Sequence, residues 1–136
     1  MSGLFRFGVS LDRKLLEKFD RLIRAKNYTN RSKAISDLIR QELIKKEWQE
    51  GREVAGAITL IYDHHRRELA DTLMDIQHDS GNVIVSTQHI HLSHHTCLEI
   101  IAARGRAREV KKLSDRLQAI KGVQHVALSM SSAGKA

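Results

Sequence analysis

Cysteine, aromatic side chains and long apolar runs are all scarce in this chain. A single cysteine, Cys97, among 136 residues excludes an intrachain disulfide and suits a reducing cytoplasm. No run approaches the roughly 20 apolar residues that a membrane-spanning helix needs. The opening residues, MSGLFRFGVS, lack the apolar centre of a secretion signal. Together these absences predict a soluble cytoplasmic protein. Aromatics make up only 4% of the chain, but a hydrophobic fraction of 41% still allows packed cores. A chain of this length can form one domain or two very small ones.

Charge comes next. The net charge is +7, which makes a polyanion a plausible partner. It is unevenly spread: residues 1–50 hold 12 Lys and Arg against 7 Asp and Glu, and residues 51–136 hold 11 against 9. Nucleic acid is therefore to be sought at the amino-terminal half.

In that half, Phe5, Phe7, Val9 and Leu11 alternate with Arg6, Gly8 and Ser10, the period of a strand with one apolar face. Asp12 is placed to cap a helix with an apolar stripe of Leu15, Leu16, Phe19, Leu22 and Ile23. Asn30 is placed to cap a second, carrying Ala34, Ile35, Leu38, Ile39, Leu43 and Ile44. One strand and two helices cannot bury enough surface alone, and a lone strand has no partner for its backbone groups. Two chains that pair their strands antiparallel would remove both deficits. The resulting ribbon fits the DNA major groove, with Arg6, Gly8 and Ser10 on its polar face. Backbone N–H groups at Asn30, Arg31 and Ser32 would meet a phosphate. The pattern resembles the ribbon-helix-helix family of transcription factors.

Around Trp48 to Arg52 the composition turns polar and Gly51 offers a break, so the boundary is placed at residues 50 and 51, with Trp48 as a packing residue. The remaining pattern is strand (54–63), helix (65–78), strand (82–92), strand (97–104), helix (106–121) and strand (123–130). Gly81, Gly105 and Gly122 fall at the joints. This is the βαββαβ, ferredoxin-like arrangement, so the fold class is α+β. Its helices cover one face of a four-stranded antiparallel sheet. Ile90, Leu92, Leu98 and Ile100 are expected under the helices, and His89, His91, Cys97 and Glu99 on the open face.

Seven of the eight histidines and the cysteine lie between His64 and Cys97. His89 and His91 project from one side of their strand. A hairpin at Ser93, His94, His95 and Thr96 would bring Cys97 beside them. Two imidazoles and a thiolate begin the coordination sphere of a soft-to-borderline divalent cation. From Asn82 to His89 an extended strand covers about 23 Å at roughly 3.3 Å per residue, a distance the short loop 78–82 cannot recover. A fourth ligand, His78, is therefore expected from a neighbouring subunit. Four-coordinate zinc would take such a set tetrahedrally, and square-planar geometry would favour Ni(II) or Cu(II). Glu99 can orient a ligand histidine. His64 is read as a hydrogen-bond donor to a metal ligand, a weaker metal site or polar surface, as is His65; both are placed at the surface. His94 and His95 are read as solvent-facing and His125 as structural. No catalytic constellation emerges, so the chain is expected not to be an enzyme.

The ribbon-helix-helix pattern, NRSKAI opening the second helix, and QH, HIH and C at these spacings are similar to the nickel-responsive transcriptional regulator family, NikR, over roughly residues 4–131. The resemblance implies a homotetramer, a dimer of dimers, with an ACT-like metal-binding and tetramerisation domain at its core. It implies one square-planar Ni(II) per subunit, held by His89, His91 and Cys97 of one chain and His78 of another. Loaded with nickel, members of the family bind a palindromic operator and repress nickel-uptake genes. Two positions depart from the pattern. Gly8 stands where a base-contacting side chain is common. Lys33 stands where some members have an acidic residue that, with the match to Asp37, helps hold a second cation. Two rival functions share this architecture: a sensor of zinc, copper or cobalt, and a metal-independent DNA-binding regulator whose second domain takes a small molecule.

Overall fold

The structure, a computed structural model, describes residues 3–134. It divides into two compact units, one ending at Arg40 and one starting at Gln41.

The first unit is built on helix caps. Asp12 Oδ2 accepts from the backbone N–H groups of Lys14 (3.1 Å) and Leu15 (3.3 Å), satisfying the free donors that open α1 (Arg13–Ala25). α1 ends where Asn27 takes φ 66°, the left-handed conformation that asparagine tolerates. The following Tyr28 N–H then reaches back to the Ile23 carbonyl at 2.9 Å. Asn30 Oδ1 accepts from Lys33 N at 2.9 Å and opens α2 (Arg31–Gln49). Both predicted caps are present. The predicted strand is not: residues 3–12 have no regular structure in the single chain. Its backbone groups have no partner strand within the unit, the deficit foreseen from the sequence. Phe5 and Phe7 are 93% and 72% exposed, while Ile23 and Ala34 are the only buried apolar residues described in this unit.

The second unit is organised on alternation. β1 (Glu53–Asp63), α3 (Arg67–Asp79), β2 (Ile84–His91), β3 (Thr96–Arg106), α4 (Ala107–Gln118) and β4 (Val123–Ser132) follow the predicted order. The strands form one antiparallel sheet in the order β2-β3-β1-β4, so β2 and β4 are its edges. Val54, Ile58, Leu60 and Tyr62, all on one face of β1, are buried, together with Cys97, Ile101 and Ala103 of β3. Leu69, Leu73 and Ile76 of α3 and Val110, Leu113 and Leu117 of α4 pack in the same core. Gly105, expected at a joint, lies within β3 because it pairs with Val54.

Trp48, near the end of α2, belongs to this core. It is buried, and its indole N–H donates to the Ser131 carbonyl at 2.9 Å. The ring lies against Gly56, where an added Cβ would stand 3.2 Å from Trp48 Cη2 and 3.0 Å from the Ser129 carbonyl oxygen. Gly56→Val is therefore expected to cost about 1–3 kcal/mol as an overpacked core position. The loss should be read from the urea midpoint, with a red-shifted emission from Trp48, the only tryptophan.

Candidate metal centre and nucleic-acid interface

β3 positions the metal-ligating candidates by pairing on both sides. Tyr62, Cys97 and His91 form one row across β1, β3 and β2, and Leu60, Glu99 and His89 form the next. Directly opposed residues share a face, with Cβ atoms about 4.5–5.5 Å apart. His89, His91, Cys97 and Glu99 thus share a face as predicted, but it is the helix-bearing face and not the open one. Cys97 and Glu99 are buried with Leu60 and Tyr62 beneath the helices, and Leu98 and Ile100 turn the other way. The reason is twofold. Residues 97–103 are almost continuously apolar, so their alternation does not mark a face. Glu99, the one residue that polarity would send outward, has a partner inside: Gln77 Nε2 of α3 donates to its Oε1 at 2.7 Å. Leu92, expected under the helices, lies beyond β2 in the hairpin and is 53% exposed.

On the edge strand His89 and His91 remain exposed. His89 is held at both ring nitrogens: Nε2 stands 3.3 Å from Glu99 Oε1 and Nδ1 3.3 Å from the Tyr62 hydroxyl. Burial, then the charge of Glu99, pushes the Tyr62 hydroxyl well above its usual range, so it stays protonated and donates. The second carboxylate oxygen of Glu99 is buried without a hydrogen-bond partner among the described residues. Cys97 Sγ is buried and 3.8 Å from the Leu98 carbonyl.

His78 lies exposed in the last turn of α3, and among the described residues its ring has no hydrogen-bond, ion-pair or ring partner. No three His, Cys, Asp or Glu side chains of the described residues stand close enough within one chain to hold a metal ion. The residues nevertheless fit one in kind. A thiol and an imidazole directly opposed on neighbouring strands, with a second imidazole two residues along, suit a divalent cation that prefers nitrogen and sulfur.

Five histidine rings form a chain at the hairpin end; the sequence marked His91 as a metal ligand and left the other four as separate surface residues. His64 stacks on His65 (ring centroids 4.2 Å apart) and meets His91 edge-on at 4.8 Å. His65 also neighbours His94 and His95, and its Nε2–H donates to the His94 carbonyl at 2.8 Å. Only the sheet register, which sets Asp63 opposite Thr96, brings the ends of β1 and of the hairpin together. The Asp63 carboxyl lies below its usual range, held there by the His65 backbone N–H at 3.0 Å and by the neighbouring imidazoles. His125, read as structural, is exposed on β4.

In the first unit Arg6, Gly8 and Ser10 are exposed, as are Asn30, Arg31 and Ser32. Arg31 is forked onto Asp20 by two bonds of 2.9 and 2.8 Å, which leaves its backbone rather than its side chain at the opening of α2. The Asp37 carboxylate accepts from Tyr28 Oη and Lys33 Nζ, both at 2.7 Å, with Arg40 at 3.5 Å. The Lys33 ammonium thus stands against the carboxylate to which the resemblance assigns a second cation.

Residues 55–131 match the family described as NikR C terminal nickel binding domain, and residues 6–46 match the ribbon-helix-helix protein, copG family. The chain belongs to the NikR family. A relative from Syntrophus aciditrophicus (strain SB) is 62% identical over 135 residues, covering 99% of this chain and 98% of its own. One from Chlorobium limicola is 58% identical over 134 residues (98% and 100%), and one from Pyrococcus furiosus 49% identical over 134 (98% and 97%). All three carry the name "Putative nickel-responsive regulator". An uncharacterized protein from Thermotoga maritima, TM1266, shares the fold over 58% of this chain and 98% of its own, at a TM-score of 0.53 and 14% identity. With a ribbon-helix-helix domain ahead of the family's nickel-binding domain, the chain is a regulator and not an enzyme. No helix among the described residues is long and apolar enough to cross a membrane.

One pH effect follows from the histidine chain. Burial first, then the neighbouring His65 and His91, depresses the His64 imidazole below its ordinary value, and its Nδ1 is buried without a hydrogen-bond partner among the described residues. The unfolded chain takes up this proton near pH 6.5 and the folded chain only lower. Stability associated with His64 is therefore full above about pH 6.5 and lost as the pH falls beneath it. His64→Gln should show a shallower drop in urea midpoint between about pH 7 and 5.5 in metal-free protein.

Proposed function

We propose that the protein is a nickel-dependent transcriptional repressor. Ni(II), one per subunit and square-planar, would be held by His89, His91 and Cys97 of one chain and His78 of another. Residues 51–136 would form the metal-binding and tetramerisation domain of a cytoplasmic homotetramer, a dimer of dimers. Residues 1–50 would form the DNA-binding domain. Paired as a two-stranded ribbon, they would present Arg6, Gly8 and Ser10 to a palindromic operator, with Asn30, Arg31 and Ser32 against phosphates. The genes repressed would be those of nickel uptake.

The observation that carries this reading is the row His91–Cys97, with His89 on the same face of an edge strand, inside a segment that matches a nickel-binding family. Exposure of His78 and of both strand histidines supports a ligand set completed between chains. The apolar residues left open at the amino terminus support a ribbon made by two chains. A cleft of about 880 Å³, lined by Phe5, Phe7, Val9, Phe19, Ile35 and Ile39 among others, awaits such cover.

The chain's own residues account for a switch. Tyr62 and Glu99 hold the His89 ring in place, and Gln77 ties the same carboxylate to the last turn of α3, next to His78. A nickel ion would supply Lewis acidity that draws a thiolate and neutral imidazoles into one sphere. Side chains of two subunits joined in this way would restrain the tetramer core. DNA binding changes only insofar as that restraint favours the DNA-competent arrangement.

The test is retention of genomic fragments by full-length protein with no metal and with Ni(II), Zn(II), Cu(II) or Co(II) in turn. Selective retention of a palindromic fragment with Ni(II), and its loss in Cys97→Ser, is expected. Equal retention without metal, or Cys97→Ser matching the parent, would overturn the proposal in favour of a metal-independent regulator. Selectivity for another ion would keep the architecture and change the signal.

The network around His89 adds a prediction. Glu99→Gln keeps the shape but removes the charge that orients the ring, so nickel affinity should fall by about 10- to 100-fold. The change should be read by competition with a chelator of known affinity, with the fold checked by circular dichroism.

A further inference from the structure

Gly8 stands in the middle of the amino-terminal segment, and nothing within the single chain demands a glycine there. It is exposed, and a Cβ added to it would meet no atom within 4 Å. Its backbone is not left-handed, unlike that of Gly51, Gly122 and Gly134. Gly56 differs again, since a Cβ there would run into Trp48 and the Ser129 carbonyl. Glycine weakens a strand, because it adds backbone entropy to the unfolded chain and has no side chain to pack. With neither crowding nor a positive φ to account for it, the use left for Gly8 is the bare face it turns to an approaching ligand.

What that face meets depends on the DNA-binding reading above, in which two copies of the segment pair as a ribbon. Phe5, Phe7, Val9 and Leu11 are all exposed in the single chain and all need cover. Antiparallel pairing covers the four together only when Phe5 stands opposite the partner's Leu11 and Phe7 opposite the partner's Val9. A slip of two residues leaves an apolar side chain unpaired at an end, and a slip of one sets apolar against polar. In this register Gly8 lies opposite the partner's Gly8, at the centre of the ribbon. The polar face then runs from Arg6 beside the partner's Ser10, across the two glycines, to Ser10 beside the partner's Arg6. Arg6 and Ser10 are four residues apart in the chain. That separation is about 13 Å at roughly 3.3 Å per residue, or about four base pairs at roughly 3.4 Å each.

We propose that Gly8 makes a gap in base readout: the ribbon discriminates through two clusters of Arg6 and Ser10 and is indifferent to the base pairs between them. Arg6 carries a guanidinium suited to the O6 and N7 acceptors of guanine, and Ser10 a short hydroxyl that donates or accepts. Gly8 offers the groove only hydrogen where a longer side chain would reach a base edge. Specificity in each operator half-site is thereby gathered at two positions about four base pairs apart, with a tolerant step between.

The experiment selects duplexes from a random-sequence library with full-length protein, with and without Ni(II), and sequences those retained. Affinities are then measured for the selected duplex and for each single base-pair replacement within a half-site. The parent should discriminate at two positions about four base pairs apart and change less than about 3-fold, under half the smallest effect of a good bidentate contact, at the step between them. Gly8→Asn supplies an amide that can bond adenine N6 and N7, so its preference for A·T at the tolerant step should rise by roughly 5- to 150-fold. Circular dichroism and nickel binding check that the variant is folded. The parent profile decides by itself: an unbroken block of discriminated base pairs beneath the ribbon would overturn the inference and leave the DNA-binding reading standing. A folded Gly8→Asn protein with the parent's profile would overturn it too. A parent that enriches no duplex, with or without Ni(II), would overturn the DNA-binding reading itself.

Discussion

The double pairing of β3, with β1 on one side and β2 on the other, sets the geometry on which the candidate metal centre depends. Cys97 and Glu99 alone would be a buried thiol and a buried carboxylate. Only because β2 lies in register do His91 and His89 stand beside them. A slip of one residue would turn both imidazoles to the other face, since side chains alternate with a period of two. On the other side of β3, Ile58, Leu60 and Tyr62 of β1 are buried opposite Ile101, Glu99 and Cys97, which fixes the two buried members of the site. The imidazoles are carried by β2, an edge strand whose His89 contacts Glu99 and Tyr62.

Glu99 is the costly element of this arrangement. A carboxylate with no exposed surface loses its hydration and has to be compensated locally. Gln77 supplies one strong donor and the His89 imidazole a second contact, while one oxygen is left without either. That arrangement links three elements. Gln77 is drawn inward by the carboxylate, and His78, the next residue and about 100° further round α3, is turned out to solvent. The same carboxylate steadies His89. In the proposed ligand set, where His89 serves its own subunit's ion and His78 a neighbour's, both histidines would be positioned through a single buried carboxylate.

Much of this was legible in the sequence, and the failures have physical causes. Asp12 and Asn30 were readable as caps because their side chains bond backbone only two or three residues away, a local event. The six elements of the second unit were readable because the helical apolar stripes of α3 and α4 separate short apolar runs, with Gly81, Gly105 and Gly122 near the joints. The face of β3 was not. Its apolar run supports either assignment, and the burial of Glu99 depends on Gln77, 22 residues distant. The His64–His65–His91 contacts were invisible for the same reason, since they follow from sheet register and not from spacing. The strand at Phe5–Leu11 shows the converse case. Its alternation is plain, yet a single chain holds no partner for it, so pattern and structure part where a second polypeptide is needed.

The spacing of the four candidate ligands pointed to the family, and the structure adds how one of them, His89, is held. His89 has both ring nitrogens engaged, one with Tyr62 and one with Glu99. Coordination needs a free lone pair on one of them, so an incoming ion has to displace a hydrogen bond. The net worth of such a bond is about 1 kcal/mol, or about 1.5–3 kcal/mol where the partner is charged. Structural metal sites bind with free energies several times larger, so the lock does not exclude an ion. It keeps the imidazole from wandering on an exposed edge and holds it on the face that carries the thiol. A ring that is already oriented loses less entropy on binding than a free one, and in that balance the Tyr62 and Glu99 contacts act as preorganisation rather than as a barrier.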